Sequence, residues 1–176
     1  MRYSAEQTAA KHERIVKEAS RLFSERGFEN VTVGEVMKAA GLTHGAFYAH
    51  FDSKQQLQVA AVAYGQEAST DRAKNYGATR KGRQSYAEMY LARRHRDHPG
   101  NGCTMAALGP EVARSTAELK LAFEQGLENI LAARGGDRSE TIFQTAALLG
   151  AVVLARAVKN QRLSDEILES VRQKLN

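Results

Sequence analysis

Apolar residues recur along this chain at helical spacing, and no segment alternates apolar and polar positions as a half-buried strand would. The pattern predicts an all-α fold. Between Lys11 and Arg26, Ile15, Ala19, Leu22 and Phe23 share one helix face, and Gly27 supplies a stop. Val31 to Leu57 (VTVGEVMKAAGLTHGAFYAHFDSKQQL) then holds three successive helix starts. Thr32 and Glu35 form a capping box, with Val31 and Val36 as a hydrophobic staple. Ala40-Gly41-Leu42 is a turn whose glycine suits positive φ. Thr43 opens a helix to His50, stapled by Leu42 and Phe47, and Ser53 with Gln56 opens the next as a third box. Two short helices joined by a tight glycine turn make a helix-turn-helix. Val36, Met37, Leu42, Phe47 and Phe51 can close a three-helix core with the first helix.

Past Leu57 the helix should continue through Val59, Val62, Ala63 and Tyr64 toward Gly77, leaving the first unit and entering a second. A tilt of this helix could carry a signal between them. Tyr86, Met89 and Tyr90 share a face. Cys103 should begin a helix interrupted near Gly109-Pro110. Ser115 with Glu118 caps a long helix bearing Leu119, Phe123, Leu127, Ile130 and Leu131, which ends at Arg134. Ile142 to Val158 is apolar nearly all round, with small residues at Ala146, Ala147, Gly150 and Ala151. Such a helix must be buried on every side. In a domain this small, a second subunit is expected to cover part of it, together with a last helix capped at Ser164 and running to Leu175. An ordinary central core helix is the alternative.

Composition changes this picture in three ways. At 176 residues and 43% hydrophobic, the chain can fill one or two cores. The net charge of +5 suits a polyanionic partner, but it is unevenly placed. From Met1 to Lys54 eight bases face seven acids, whereas from Asp71 to His98 eight bases face three. DNA binding by the first unit would therefore depend on a few placed groups. One cysteine, Cys103, excludes an internal disulfide and fits a reducing compartment. The first residues are polar, with Arg2 able to reach a DNA backbone or minor groove. They lack a signal-peptide core, and the apolar run Ala146 to Ala155 is about half of the roughly 20 residues a membrane span needs, so a cytoplasmic protein with no membrane partner is expected.

On the short helix after the turn, Phe47 and Phe51 face the core. Thr43, His44, Gly45, Ala46, Tyr48, Ala49 and His50 are left for solvent or a groove. Tyr48 could donate to a phosphate, His44 could meet a base edge, and Ala46 a thymine methyl. Lys54 is a further phosphate candidate. A solvated helix surface is the competing reading of each.

The segment AGLTHGAFYAHFDSKQQL resembles the signature of the TetR (tetracycline repressor) family of bacterial transcriptional regulators. The matching positions are Gly41, Thr43, Gly45, Ala46, Phe47, Tyr48, His50, Phe51, Ser53, Lys54 and Leu57, and IVKEASRLFSERGFENVTV (Ile15 to Val33) matches upstream. The chain departs at Ala46 and Ala49, where the family often carries hydroxyl side chains. The resemblance implies an N-terminal DNA-binding domain (residues 1–54) and a larger helical effector-binding and dimerisation domain (55–176). It implies a homodimer on a near-palindromic DNA operator, usually as a repressor. It also implies that a ligand in the second domain alters the spacing of the two reading heads. The family's DNA contacts carry over as Thr32, Lys38, Thr43, His44, Gly45, Ala46, Tyr48, His50 and Lys54.

For the effector, Tyr86, Met89, Tyr90, Cys103, Met105, Phe123, Leu127 and Phe143 are the expected pocket lining. Each could equally be plain core. A thiol at a helix N-terminus can be acidified, so Cys103 is a candidate for electrophile or oxidant sensing, helped by Arg93 to Arg96 if they fold nearby; the alternative is an inert packed cysteine. His95 and His98 lack a carboxylate or cysteine at ligand spacing, so no zinc site is expected, nor any cofactor. An enzyme reading finds no G-x-S-x-G, H-E-x-x-H or phosphate loop. A helical protein-interaction module without specific DNA binding stays open, supported by the near-neutral first unit.

Overall fold

The computed structural model describes residues 5–77 and 79–175, so Arg2 lies outside the described residues. These hold nine α-helices, two short 3-10 segments and no strand. Helix α1 (Ala5–Arg26) buries Ile15, Val16, Ala19, Leu22 and Phe23, and Gly27, at φ +80°, closes it with its N–H on the Phe23 carbonyl at 2.8 Å. Helix α2 (Val33–Ala39) follows. The turn beyond it is sealed by the Leu42 N–H on the Met37 carbonyl at 2.9 Å, and Gly41 sits at φ +70°, where a side chain would be strained.

The segment after the turn is a 3-10 helix, His44–Ala49, and Thr43 precedes it without a side-chain cap. The α-helix expected from Thr43 to His50 is thus replaced by a tighter turn, with Leu42 still packed on the core that holds Phe47. It places Phe47 and Phe51 in the core, both at 3% exposure or less. Helix α3 (Lys54–Tyr76) is capped by the Ser53 hydroxyl, which accepts from the Gln56 N–H. The reciprocal bond goes to Asp52 rather than Ser53, since Gln56 Oε1 accepts the Asp52 N–H at 2.8 Å. The capping box is therefore shifted by one residue.

Helix α3 is buried on two sides, packing on α1 and on α7 (Ala117–Arg134). Gly65 permits a close approach, where a Cβ would sit 2.0 Å from Thr104 Oγ1 and 2.7 Å from Ser20 Oγ. The core around α1 and α2 does not end with the first three helices. It takes in Leu57, Ala61 and Val62 of α3, Leu108 and Val112 of α6 (Thr104–Val112) and Leu119 of α7. A second core joins α4 (Arg80–Tyr90), α6, α7, α8 (Arg138–Ala157) and α9 (Gln161–Leu175) through Tyr86, Tyr90, Met105, Ile130, Leu148, Val152 and Leu168.

Three helix boundaries differ from the sequence expectation. Helix α6 runs through Pro110 to Val112, because only part of a turn follows the one N–H that proline removes. Ser115 does not cap α7; its hydroxyl donates back to the Glu111 carbonyl at 2.8 Å, and Thr116 is the residue that precedes the helix. Ser164 does not cap α9. The helix starts at Gln161, with Asn160 Oδ1 accepting the Leu163 N–H, and Ser164 is buried inside it, donating to the Ala155 carbonyl at 2.6 Å. Helix α8 is long and apolar enough by length and composition to cross a membrane. Its face bearing Thr141, Thr145, Leu148, Val152 and Ala155 is nevertheless buried within the fold.

The segment between α4 and α6 is held by charge and by one histidine. In α5 (Arg93–Asp97), buried Arg96 donates to Asp97 at 2.7 Å, and to Asp165 and Ser164 of α9 at 2.9 Å. Arg93 also pairs with Asp165, at 2.7 Å. Arg93 and Arg96 of the basic run are therefore engaged by α9. Arg156 of α8 donates to the His95 and Arg96 carbonyls, both at 2.9 Å, satisfying the end of α5. His95 bridges the segment: Nδ1–H donates to the Tyr90 carbonyl at 2.7 Å, and Nε2 accepts the Cys103 N–H at 2.9 Å.

That arrangement needs a neutral ring. Burial, followed by the charges of Arg156 and Arg72, outweighs the Tyr90 carbonyl and lowers the His95 pKa from 6.5 to about 4. The contribution is complete above pH 6.5 and is lost as pH falls toward 4. Between about pH 7.5 and about pH 5 this loss should be on the order of 2 kcal/mol, or about 4–8 °C in Tm. His95→Gln keeps a donor and an acceptor but cannot titrate. It should remove that part of the acid dependence in thermal melts, and an unchanged dependence would contradict this role of His95.

Candidate DNA-reading surface and effector cavity

The capping box at α2 forms in full. The Glu35 N–H donates to Thr32 Oγ1 at 3.2 Å, while the Thr32 N–H and hydroxyl both donate to Glu35 Oε2 at 2.8 Å. Arg26 adds a contact to Glu35 Oε1 at 2.7 Å. The Thr32 N–H first, then Arg26 and the Thr32 hydroxyl, hold the Glu35 carboxyl down at about 2. Both hydrogen-bond donors of Thr32 are thus committed to Glu35. The residue orients α2, and a phosphate could take a donor from it only if the box opened.

The 3-10 helix presents Thr43, His44, Gly45, Tyr48 and Ala49 to solvent, with Ala46 half-buried. Tyr48 is 69% exposed, its ring edge-on to Phe47 at 5.3 Å between centroids and to His44 at 6.5 Å. Nothing lies within 4 Å of a Cβ built on Gly45, so the surface there is open to close approach. The buried pair Phe47 and Phe51, stacked at 5.7 Å, fixes the orientation of this face. Lys38 is exposed in the last turn of α2, and Lys54 begins α3 half-buried. His50 differs from the rest. It is half-buried beside His12 of α1, at 5.9 Å, and His12 in turn stacks on Phe51 at 4.7 Å. Burial, then the charges of His12 and Lys11, lowers the His50 pKa. His50 therefore braces the reading segment against α1.

Four of the eight expected pocket residues converge. Tyr86, Tyr90, Cys103 and Met105 line one cavity, together with Ile130, Arg134, Thr145, Leu148 and Leu149. It is narrow, with room for about one water molecule. Met89 lies beside it, facing a crevice with Arg72 and His95. Phe123 is half-buried at the junction of the two cores, and Leu127 packs on the second; neither lines the cavity. Phe143 is 62% exposed on the outer side of α8. It stands two residues, about 200° of helix rotation, from Thr145 on the cavity wall, so it cannot face the same way.

Arg134 is the important residue that the sequence reading passed over. It falls on the stripe Phe123, Leu127, Ile130, Arg134, and a charge on an apolar stripe was the available signal. Its guanidinium carbon lies 4.9 Å from the centre of the Tyr86 ring, and it donates to Gln144 Oε1 at 3.1 Å. Burial pushes Tyr86 up to about 12, raises Tyr90 well above its ordinary value and lowers Arg134. Cys103, 5% exposed, precedes α6 directly and borders the Tyr90 hydroxyl. At its other end α6 reaches the reading unit: Glu111 Oε2 accepts the Phe28 N–H, at the corner between α1 and α2, at 2.8 Å.

Residues 15–61 match the profile of the bacterial regulatory proteins of the tetR family. Over 65 residues the chain is 42% identical to the HTH-type transcriptional regulator YerO of Bacillus subtilis, covering 37% of this chain and 22% of that protein. Over 43 residues it is 49% identical to the HTH-type transcriptional regulator AcrR of Shigella flexneri, covering 24% of this chain and 20% of that protein. These alignments span about a fifth of the curated relatives' length. The fold extends much further. The reduced form of E. coli NemR superposes with a TM-score of 0.79 at 22% identity, covering 95% of each chain. A TetR transcriptional regulator from Chloroflexus aurantiacus does so at 0.76 and 23% identity, covering 97% of this chain and 94% of that one. Residues 15–61 of this chain thus carry the N-terminal signature of the tetR family, and along nearly its whole length the chain has the all-helical fold of the solved regulators on which it superposes.

Proposed function

We propose that the protein is a dimeric, ligand-responsive regulator of transcription, a repressor released from its operator when a small molecule occupies the cavity at Tyr90 and Cys103. The observation that carries the DNA-binding part is the exposed face of the 3-10 helix. A large polar ring, Tyr48, stands among small residues on a segment whose reverse side is locked into the core. That face suits a major groove, with Tyr48 and Lys54 taking phosphates and His44 a base edge. Two copies about 34 Å apart would read a near-palindromic site.

An unpartnered apolar surface supports the dimer. Ile142, Phe143 and Leu154 of α8 and Leu163 of α9 are 44% exposed or more, and Ala146 and Gly150 leave the outer side of α8 shallow. A second copy of these helices would bury it as a two-fold four-helix contact.

The route from cavity to DNA runs along α6, which touches the cavity at Cys103 and Met105 and grips Phe28 through Glu111. A ligand that displaces α6 would shift the population of head orientations away from the DNA-bound spacing. Modification of the Cys103 thiol by an electrophile or oxidant would be one way to fill the cavity.

Duplex selected from a random pool, followed by fluorescence anisotropy, tests the DNA reading. Affinity should fall steeply with salt. Tyr48→Phe should weaken binding about tenfold while the melting curve is preserved, in line with a lost bond to a charged group. Binding that ignores sequence and salt would favour the interaction-module alternative. For the dimer, Phe143→Glu should convert a two-chain mass to a one-chain mass in light scattering, and a wild type that is already monomeric would refute it. For the thiol, iodoacetamide should release DNA from the wild type but not from Cys103→Ser; equal behaviour of the two would exclude Cys103 as a sensor.

A further inference from the structure

The cavity holds a charge that nothing in the fold neutralises. Arg134 is 4% exposed, its Nε has no hydrogen-bond partner, and among the described residues no carboxylate lies within ion-pair distance of it. Its contacts are the Gln144 amide oxygen and the Tyr86 ring. The other arginine this deeply buried, Arg96, is treated quite differently, with Asp97 and Asp165 at 2.7 and 2.9 Å. A buried cation is costly unless an anion meets it. Next to Arg134 on the same wall, the Tyr90 hydroxyl is also buried, at 4% exposure, and also lacks a partner. The Thr145 hydroxyl is already spent on the Thr141 carbonyl at 2.7 Å. Apart from the Cys103 thiol, the remaining wall, Met105, Ile130, Leu148 and Leu149, is apolar.

We propose that this cavity is a receptor for a small monocarboxylate with a short apolar body. The carboxylate accepts from Arg134 Nε and from the Tyr90 hydroxyl, two buried donors of this wall that have no partner. The apolar body lies against Ile130, Leu148 and Met105. A phosphate fits less well, because its additional oxygens and charge would face apolar side chains. The empty cavity admits about one water, so the ligand must part the walls that α4, α6 and α8 form. That gives it different contacts in the two states, as a population shift requires. The assignment of the ligand rests on this geometry, and its regulatory consequence rests on the regulator reading above.

Calorimetry on the full chain tests it with butyrate, hexanoate and benzoate, each against its own primary amide, and with inorganic phosphate. At least one acid should bind tenfold or more tighter than its amide. Arg134→Met should abolish that preference, and Arg134→Lys should retain part of it, with thermal melts reporting whether each variant folds. If Arg134→Met does not fold, the acid–amide ratio in the wild type decides. Equal affinity of acid and amide, tighter binding of phosphate, or no acid binding up to about 10 mM would overturn the proposal. Anisotropy on the selected duplex separates the two readings. Acid binding that leaves DNA affinity unchanged supports the receptor and overturns its coupling to DNA. Absent acid binding with intact DNA affinity overturns the receptor alone.

Discussion

The first three helical segments are too small to bury their own core, and the rest of the molecule is arranged around that shortage. A unit of this size has too little interior for the surface it exposes. The core formed by Ile15, Phe23, Val36, Met37 and Phe47 is completed only by Leu57, Ala61 and Val62 of α3, Leu108 and Val112 of α6, and Leu119 of α7. The reading face is therefore oriented by the body it is attached to. At Gly65 of α3 the side chains of Ser20 of α1 and Thr104 of α6 fill the place a methyl group would take, so the three helices are packed closely there. This shared core is the physical basis for any signal between cavity and DNA.

Helix α6 occupies the middle of that arrangement. Its first turn follows Cys103 at the cavity, and its last turn carries Glu111, which accepts the Phe28 N–H beside the helix-turn-helix. The 3-10 turn Pro99–Asn101 before it packs on α1 as well, where a Cβ on Gly100 would meet Glu25 at 2.4 Å. His95, held between the Tyr90 carbonyl and the Cys103 N–H, ties the start of α6 to the end of α4. The elements that follow the cavity wall are thus packed toward the first unit at two places, the 3-10 turn against α1 and Glu111 on the Phe28 N–H.

The buried arginines show how differently one residue type can be used. Arg96 is neutralised by two aspartates and locks α5 to α9. Arg156 caps the end of α5 through two carbonyls. Arg134 has an aromatic face and an amide, and no anion. Arg96 accounts for itself structurally, and Arg156 does so through its Nε and one Nη, its other Nη being buried without a partner. The third leaves an electrostatic vacancy at the one place where tyrosine hydroxyl, thiol and apolar side chains also meet.

Sequence by itself determined most of the elements and the family signature of the N-terminal segment. Capping at Thr32 and Glu35, the Gly41 turn, the apolar faces of α1 and α7 and the spaced residues from Gly41 to Leu57 are local signals, each written within a few residues of the structure it produces. Boundaries were misread where a polar residue had a competing partner: Ser115 returns to the Glu111 carbonyl and Ser164 to that of Ala155. Only the tertiary structure decided which chemistry is shared. Helical periodicity says that Phe143 and Tyr86 are apolar-facing, but not which helix each one faces, and so one lies on the outer surface and the other in the cavity. Cys103 meets His95 and Tyr90 rather than the arginines adjacent in sequence, and His50 turns to His12 rather than outward. The apolar stripe marks Arg134 for burial, but the absence of an anion beside it depends on how four helices pack together. No local pattern encodes that absence, because the desolvation of a charge is set by everything that surrounds it.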